Sequence, residues 1–198
     1  MLTWNVFTLN APVSKELNVR GYDWDKWMRN LILIRHAKSS WDDPSLIDLE
    51  RPLNKRGKHD AQLMGKLLLE RNLLPDLIVS SPAKRALKTA AKIAKTLGYE
   101  KARIEIRLEI YMQGLQAILN VISELPDNVC RAYLVGHNPE FTDLANRLTD
   151  GAIDNVPTCG IVSIEFPGDS WHHCVKQKGR LALFLRPPKA PQKYGAAL

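Results

Sequence analysis

Apolar residues along this chain fall in short runs that stop abruptly at polar ones. Leu31-Ile32-Leu33-Ile34 stops at Arg35-His36, Leu77-Ile78-Val79 at Ser80-Ser81-Pro82, and Ala132-Tyr133-Leu134-Val135-Gly136 at His137-Asn138-Pro139. Runs this short, bounded by turn-forming residues, predict buried strands that end in polar loops. The pattern predicts strands near 31–35, 77–80, 103–106, 131–135, 161–166 and 180–185. Helical spacing fills the intervals near 55–71, 82–97, 115–125 and 139–149. In 82–97 the positions Ala86, Ala90, Ile93 and Leu97, with Leu87 and Ala94 beside them, form a core-facing stripe. Lys84, Lys88, Lys92 and Lys95 form a second stripe suited to a solvated face, and Arg85 and Thr89 lie one turn apart on a third. Asn54 is the expected N-cap of the first helix. Ser81 as N-cap with Pro82 at the first helical position suits the start of the second, and Gly98 its end.

Strands that alternate with helices argue for an α/β fold with a mostly parallel sheet covered on both faces. The last two strands are separated only by a short stretch containing Pro167-Gly168-Asp169, so they are expected to pair antiparallel at the sheet's edge. Met28-Arg29-Asn30 leads straight into the first strand. Residues 1–27 therefore read as an N-terminal extension, an arm or the product of an upstream start codon. Residues 28–186 form the domain, and 187–198, beginning Pro187-Pro188-Lys189-Ala190-Pro191, read as a tail.

The net charge of +7 raises the question of nucleic acid. Its distribution argues against that partner, because the final 13 residues hold +3 and the first 30 hold +1, leaving the body only +3. No apolar stretch is long enough to span a membrane, and no secretory signal is visible. Cys130, Cys159 and Cys174 are odd in number and lack CxxC spacing, which suits reduced thiols and a cytoplasmic location. No His/Cys cluster has metal-ligand spacing.

Ligands of α/β sheets bind beyond the carboxyl ends of the strands, where three of these runs deliver Arg or His. Arg35, Arg85 and His137 suit a tetrahedral phosphoryl group, since a guanidinium binds oxyanions bidentately and stays charged. Arg85 also falls in the first turn of a helix, whose positive end favours an anion. His36 is then the nucleophile, a neutral imidazole able to form a phosphohistidine, and neighbouring guanidiniums disfavour its protonated form. A protonated His137 would stabilise the equatorial oxygens of the transition state. The cations of the protein serve where other phosphatases use a metal, so neither metal nor cofactor is expected.

Arg35-His36-Ala37-Lys38-Ser39-Ser40-Trp41 resembles the Arg-His-Gly signature of the histidine phosphatase superfamily, which includes the cofactor-dependent phosphoglycerate mutases. Ser80-Ser81-Pro82-Ala83-Lys84-Arg85-Ala86-Leu87-Lys88-Thr89-Ala90 is similar to its second signature and Gly136-His137-Asn138-Pro139 to its third, with the similarity covering roughly residues 28–185. The first block, the Arg51-Pro52-Leu53 block and the short length look most like the SixA branch of phosphohistidine phosphatases. The resemblance implies a phosphoglycerate mutase-like three-layer α/β/α sandwich with a mixed, mostly parallel central sheet. It makes His36 the phospho-acceptor and Arg35, Arg85 and His137 phosphate ligands, with Ser39 and Asn138 as further substrate-binding positions. Ala37 stands where the signature has Gly. Asp42 stands where the mutases often carry Asn and is expected to face away from phosphate. The larger family uses a carboxylic acid to protonate the leaving oxygen, and Glu109 is the residue here that can be placed in that role. The weakness of that acid signal suits a phosphoramidate better than an ester.

The expected activity is removal of phosphate from phosphohistidine on a protein. Residues 98–130 leave little room for a lid over the site. The alternatives are a small phosphorylated substrate handled by the same chemistry, or a non-catalytic module that binds phosphorylated partners. His59 reads as a surface residue, His172-His173 as loop, and Trp41 and Trp171 as packing residues.

Overall fold

The computed structural model describes residues 28–188. The N-terminal extension and most of the tail lie outside the described residues. Among these residues six strands form one sheet in the order β3-β2-β4-β1-β5-β6. The strands are β1 (Met28–Arg35), β2 (Leu77–Ser80), β3 (Glu105–Ile106), β4 (Arg131–Gly136), β5 (Ile161–Pro167) and β6 (Arg180–Leu185). The helices are α1 (Lys55–Glu70), α2 (Lys84–Leu97), α3 (Gly114–Ser123), α4 (Glu140–Leu148) and the short α5 (Trp171–Cys174). β3, β2, β4 and β1 run parallel, whereas β5 pairs antiparallel with β1 and with β6. The expected edge pair is thus present, and the sheet is mixed.

Alternation along the central strands builds a core on each face. Ile32, Ile34, Ile78, Tyr133, Val135 and Ile161 pack with α1 and α2 residues such as Met64, Leu68, Ala86 and Ile93. Leu31, Leu33, Val79, Leu134, Val162 and Ile164 pack with Ile118, Phe141, Leu144 and Trp171 on the other face. The result is the three-layer α/β/α sandwich. β1 and β4 are buried along most of their length because helices cover both sides, which explains their unbroken apolar runs.

Asn54 caps α1, its side chain accepting from Gly57 N at 2.8 Å. Gly98 ends α2 in the left-handed conformation, with φ 70°. Ser81 does not cap α2. The helix begins at Lys84 after Ala83, and Ser81 Oγ accepts both from Ala83 N at 3.3 Å, in the turn that leads into the helix, and from His137 Nε2 at 2.7 Å. Of the strand expected near 103–106 only the two-residue β3 forms, paired with Val79 and Ser80 of β2, and Arg103 closes a 3₁₀ turn, Lys101–Arg103, that leads into it. His172 and His173 lie on α5 rather than in a loop, held there by the neighbouring Trp171, which is fully buried and donates from Nε1 to Val129 O at 2.8 Å. Trp41 is not packed inside. It is 73% exposed and stacks on the Arg51 guanidinium, whose carbon lies 3.1 Å from the ring centroid. His59 is exposed as expected.

Candidate active site

The register of the parallel strands assembles the site. Arg35 lies opposite Gly136, and Ser80 opposite Val135, so β1, β2 and β4 end level at their carboxyl edge. His36 N donates to Gly136 O at 2.9 Å and Ser81 N to Val135 O at 2.9 Å, carrying the pairing one residue past the strands. His36, Ser81 and His137 consequently leave the sheet side by side.

Two contacts fix the loop after β1. Thr89, one turn beyond Arg85 on α2, accepts from Ala37 N at 3.0 Å. Cys159, held at φ 62°, donates its N–H to the carbonyls of Arg35 and His36 at 3.0 and 3.1 Å. Gly57 lets the first turn of α1 close on the same loop, since a Cβ there would lie 2.2 Å from Lys38 O.

Hydrogen bonding determines both imidazole tautomers. His36 Nδ1 lies 2.9 Å from Ala37 O, which only accepts, so Nδ1 carries the hydrogen. His36 Nε2 is left with its lone pair and accepts from Arg85 Nε at 3.3 Å. His137 Nδ1 lies 3.3 Å from Arg85 Nη2, which only donates, so His137 carries its hydrogen on Nε2 and donates it to Ser81 Oγ at 2.7 Å. The two rings sit 5.0 Å apart, with Arg85 joined to both.

Burial, with the charges of Arg85, Arg35 and Arg51, pushes the His36 imidazole down to about 4 against the pull of the Ala37 carbonyl. Burial, His36 and Arg85 push His137 down to about 3. Both rings are therefore neutral near pH 7. That is the state expected of His36, whereas the protonated His137 is not the resting form. A phosphoryl dianion between the rings would be the charge that favours its protonation.

Arg35 completes the cationic wall. Its Nη1 donates to Val156 O at 2.8 Å, and its Nε is buried without an acceptor, a donor that a phosphoryl oxygen would satisfy. Asn138 spends its amide hydrogens on Thr142 Oγ1, Asn155 Oδ1 and Val156 O, while its buried Oδ1 has no partner. Its visible task is to brace the 155–156 segment that holds Arg35. Ser39 is buried, and its Oγ accepts from Arg51 Nη2 at 2.7 Å. Asp42 is exposed. Glu109, the candidate acid, is ion-paired in this structure. Arg107 holds its carboxylate through Nη2 at 3.2 Å and Nε at 3.4 Å. A backbone hydrogen bond and this arginine lower its carboxyl pKa from the usual value.

Two residues, Asp48 and Tyr111, escaped the sequence reading. Asp48 accepts from Arg85 Nη2 at 2.8 Å, Arg51 Nη1 at 2.9 Å and the Tyr111 hydroxyl at 2.9 Å. The Tyr111 ring also stands edge-on to His137, at 5.4 Å. Burial pushes the Asp48 carboxyl up, but the hydrogen bonds from Tyr111, Arg85 and Arg51 outweigh it and bring it down to about 2. The signal available was the Arg51-Pro52-Leu53 block. Nothing in the local pattern ties it to Asp48, and Tyr111 comes from a distant loop. Among the described residues no group of three His, Cys, Asp or Glu side chains could hold a metal ion. No helix among them is long and apolar enough to cross a membrane.

Known proteins match this arrangement. The family model described as the histidine phosphatase superfamily (branch 1) matches residues 31–119. An uncharacterized chloroplastic protein of Arabidopsis thaliana is 36% identical over 160 residues, 76% of this chain and 72% of its own length. Phosphoserine phosphatase 1 of Hydrogenobacter thermophilus is 33% identical over 118 residues, 58% of this chain and 55% of its own. Among solved structures, the SixA-type candidate phosphohistidine phosphatase of Agrobacterium tumefaciens superposes with a TM-score of 0.68 at 28% identity, covering 81% of this chain and 99% of that one. With its three signature blocks converging on one pocket and these relatives sharing its sequence and fold, the chain belongs to the histidine phosphatase superfamily.

Proposed function

We propose that this phosphatase hydrolyses phosphohistidine on a protein through a covalent phospho-His36 intermediate, without a metal. The observation that carries this reading is the protonation pattern. His36 Nε2 holds a lone pair beside Arg85, while the carboxylates of Asp48 and Glu109 are each tied up by an arginine, Arg85 and Arg107. An alkoxide leaving group needs a proton in the transition state. A substrate imidazole already protonated on its far nitrogen leaves as a neutral ring and needs none.

In the first step the His36 Nε2 lone pair forms a P–N bond as the P–N bond to the substrate ring breaks. The hydrogen on His36 Nδ1 stays in place, and the Ala37 carbonyl stabilises the positive charge that the phosphorylated ring acquires. Arg35 and Arg85 neutralise the equatorial oxygens, joined by His137 Nδ1 once the phosphoryl dianion has favoured protonation of that ring. In the second step a water oxygen bonds to phosphorus, the bond to Nε2 breaks, and orthophosphate leaves with the water's protons. His36 returns to its starting tautomer. The free thiols of Cys130, Cys159 and Cys174 suit a reducing compartment such as the cytoplasm.

A small phosphomonoester is the second reading, favoured by the likeness to phosphoserine phosphatase 1. Hydrolysis of a phosphohistidine-bearing carrier protein and of phosphoserine, side by side with chelator present, separates the two. Faster turnover of the carrier supports the first reading. Preference for phosphoserine would establish the second. Retained turnover by His36→Ala would sink the mechanism common to both.

A further inference from the structure

The Arg85 guanidinium is divided between two duties. Its outer edge is gripped by Asp48: Nη1 donates to the Asp48 backbone oxygen at 2.6 Å and Nη2 to carboxylate Oδ2 at 2.8 Å. Its inner edge, Nε and Nη2, lies 3.3 Å from His36 Nε2 and 3.3 Å from His137 Nδ1. We infer that Asp48 is a positioning residue that aims the inner edge of Arg85 at the phosphoryl group between the two histidines. The inference rests on reading Arg85 as a phosphoryl ligand.

Two features separate aiming from obstruction. A carboxylate that competed with phosphate would occupy the inner edge, and Asp48 holds the outer one. Asp48 is also anchored independently of Arg85. Arg51 donates to Oδ1 at 2.9 Å and in turn holds Ser39 Oγ at 2.7 Å and Ser40 O at 3.2 Å. Tyr111 donates to Oδ2 from the loop after β3. Asp48 therefore ties Arg85 to the loop that carries His36 and to the loop that reaches His137. Three donors on two carboxylate oxygens require an acceptor-only group, since an amide would turn one NH₂ toward an arginine.

The test is a double-mutant cycle read by orthophosphate binding in calorimetry and by kcat and KM on a phosphohistidine-bearing carrier protein. Asp48→Ala is expected to weaken orthophosphate binding about 10- to 100-fold, the range of a lost charge-assisted hydrogen bond. In an Arg85→Ala background the same substitution is expected to change binding less than about twofold, because the residue acts through that arginine. Asp48→Asn, nearly isosteric, provides the same comparison if the alanine variant does not fold, with a smaller loss that again vanishes without Arg85. Equal or tighter phosphate binding by Asp48→Ala or Asp48→Asn would overturn the inference, as would a full loss that persists in the Arg85→Ala background. In those cases the unaltered protein still binds phosphate and turns over, so the phosphatase reading survives. Failure of the unaltered protein to bind phosphate or act on the carrier overturns both.

Discussion

Two arginines of this protein are each bound to carboxylates, and they do different work. Arg85 has an 8% exposed side chain, pairs with Asp48, whose own side chain is 46% exposed, and stands between two histidines, so the difference lies at the cation and not at its carboxylate. Arg107 has a 30% exposed side chain and pairs with Glu109 and Glu124, which are 39% and 60% exposed. Charge and hydrogen bonding are alike in the two clusters, and surroundings differ. Around Arg107 water screens the charges, and exposed pairs of this kind contribute about 0–1 kcal/mol. Around Arg85 burial, more than the cation itself, depresses two imidazole pKa values, with the guanidinium adding to it while its inner edge remains available to an oxyanion. Function follows from where the sheet places an ion pair rather than from the pair itself.

The comparison breaks most visibly at the nucleophile. His36→Ala should lower turnover by at least about 10³-fold and abolish acid-labile phosphate trapping, measured by quenching with labelled substrate. Next comes the arginine pair. Arg85→Ala should reduce kcat/KM by roughly 10²- to 10³-fold, as loss of a transition-state charge partner does, while Arg107→Ala should change it less than about threefold. Comparable losses in both would erase the distinction drawn above.

The pH dependence sharpens it. His36 and His137 bind protons less readily when folded, at about 4 and about 3, than in the unfolded chain near 6.5. Between these values the unfolded state holds more protons, so stability is full above about pH 6.5 and falls as pH drops toward 4 and then 3. Denaturant midpoints across that window should decline toward acid, with a smaller decline in His137→Asn. The acid limb of kcat/KM should lie near pH 4, once substrate ionisation is accounted for, because protonated His36 has no lone pair to offer. A limb near 6.5 would mean that the pocket does not shift this imidazole.

Ser81→Ala should lower kcat about tenfold, because His137 loses the acceptor that fixes its tautomer. Orthophosphate binding reports whether the ring has turned. The smallest effect belongs to Glu109→Gln, expected to alter turnover less than about twofold and stability by no more than about 0.5 kcal/mol. A large loss of turnover would restore Glu109 as an acid.

Much of this architecture could be read along the chain. Runs such as Leu31-Ile32-Leu33-Ile34 are legible because burial on both faces of a sheet demands unbroken apolar residues. Asn54 and Gly98 are legible because a helix end satisfies its own backbone locally. Ser81 misled for an instructive reason. Its residue type suits a cap, but the helix starts three residues later, and the hydroxyl holds the Ala83 N–H of the intervening turn and also meets His137.

His36, Arg35, Arg85 and His137 could be singled out from order and spacing, because each ends or directly follows a strand or opens a helix, and strand ends set position in an α/β sheet. Asp48, Tyr111 and the tautomers belong to the folded molecule alone. Asp48 meets Arg85 across 37 residues and Tyr111 across 63, and no periodicity spans such distances. Which nitrogen of His36 carries the hydrogen depends on a carbonyl and a guanidinium arriving on opposite sides of one ring. Local pattern specifies what can be buried, whereas the packing of distant loops fixes which donors meet which acceptors, and with them the chemistry.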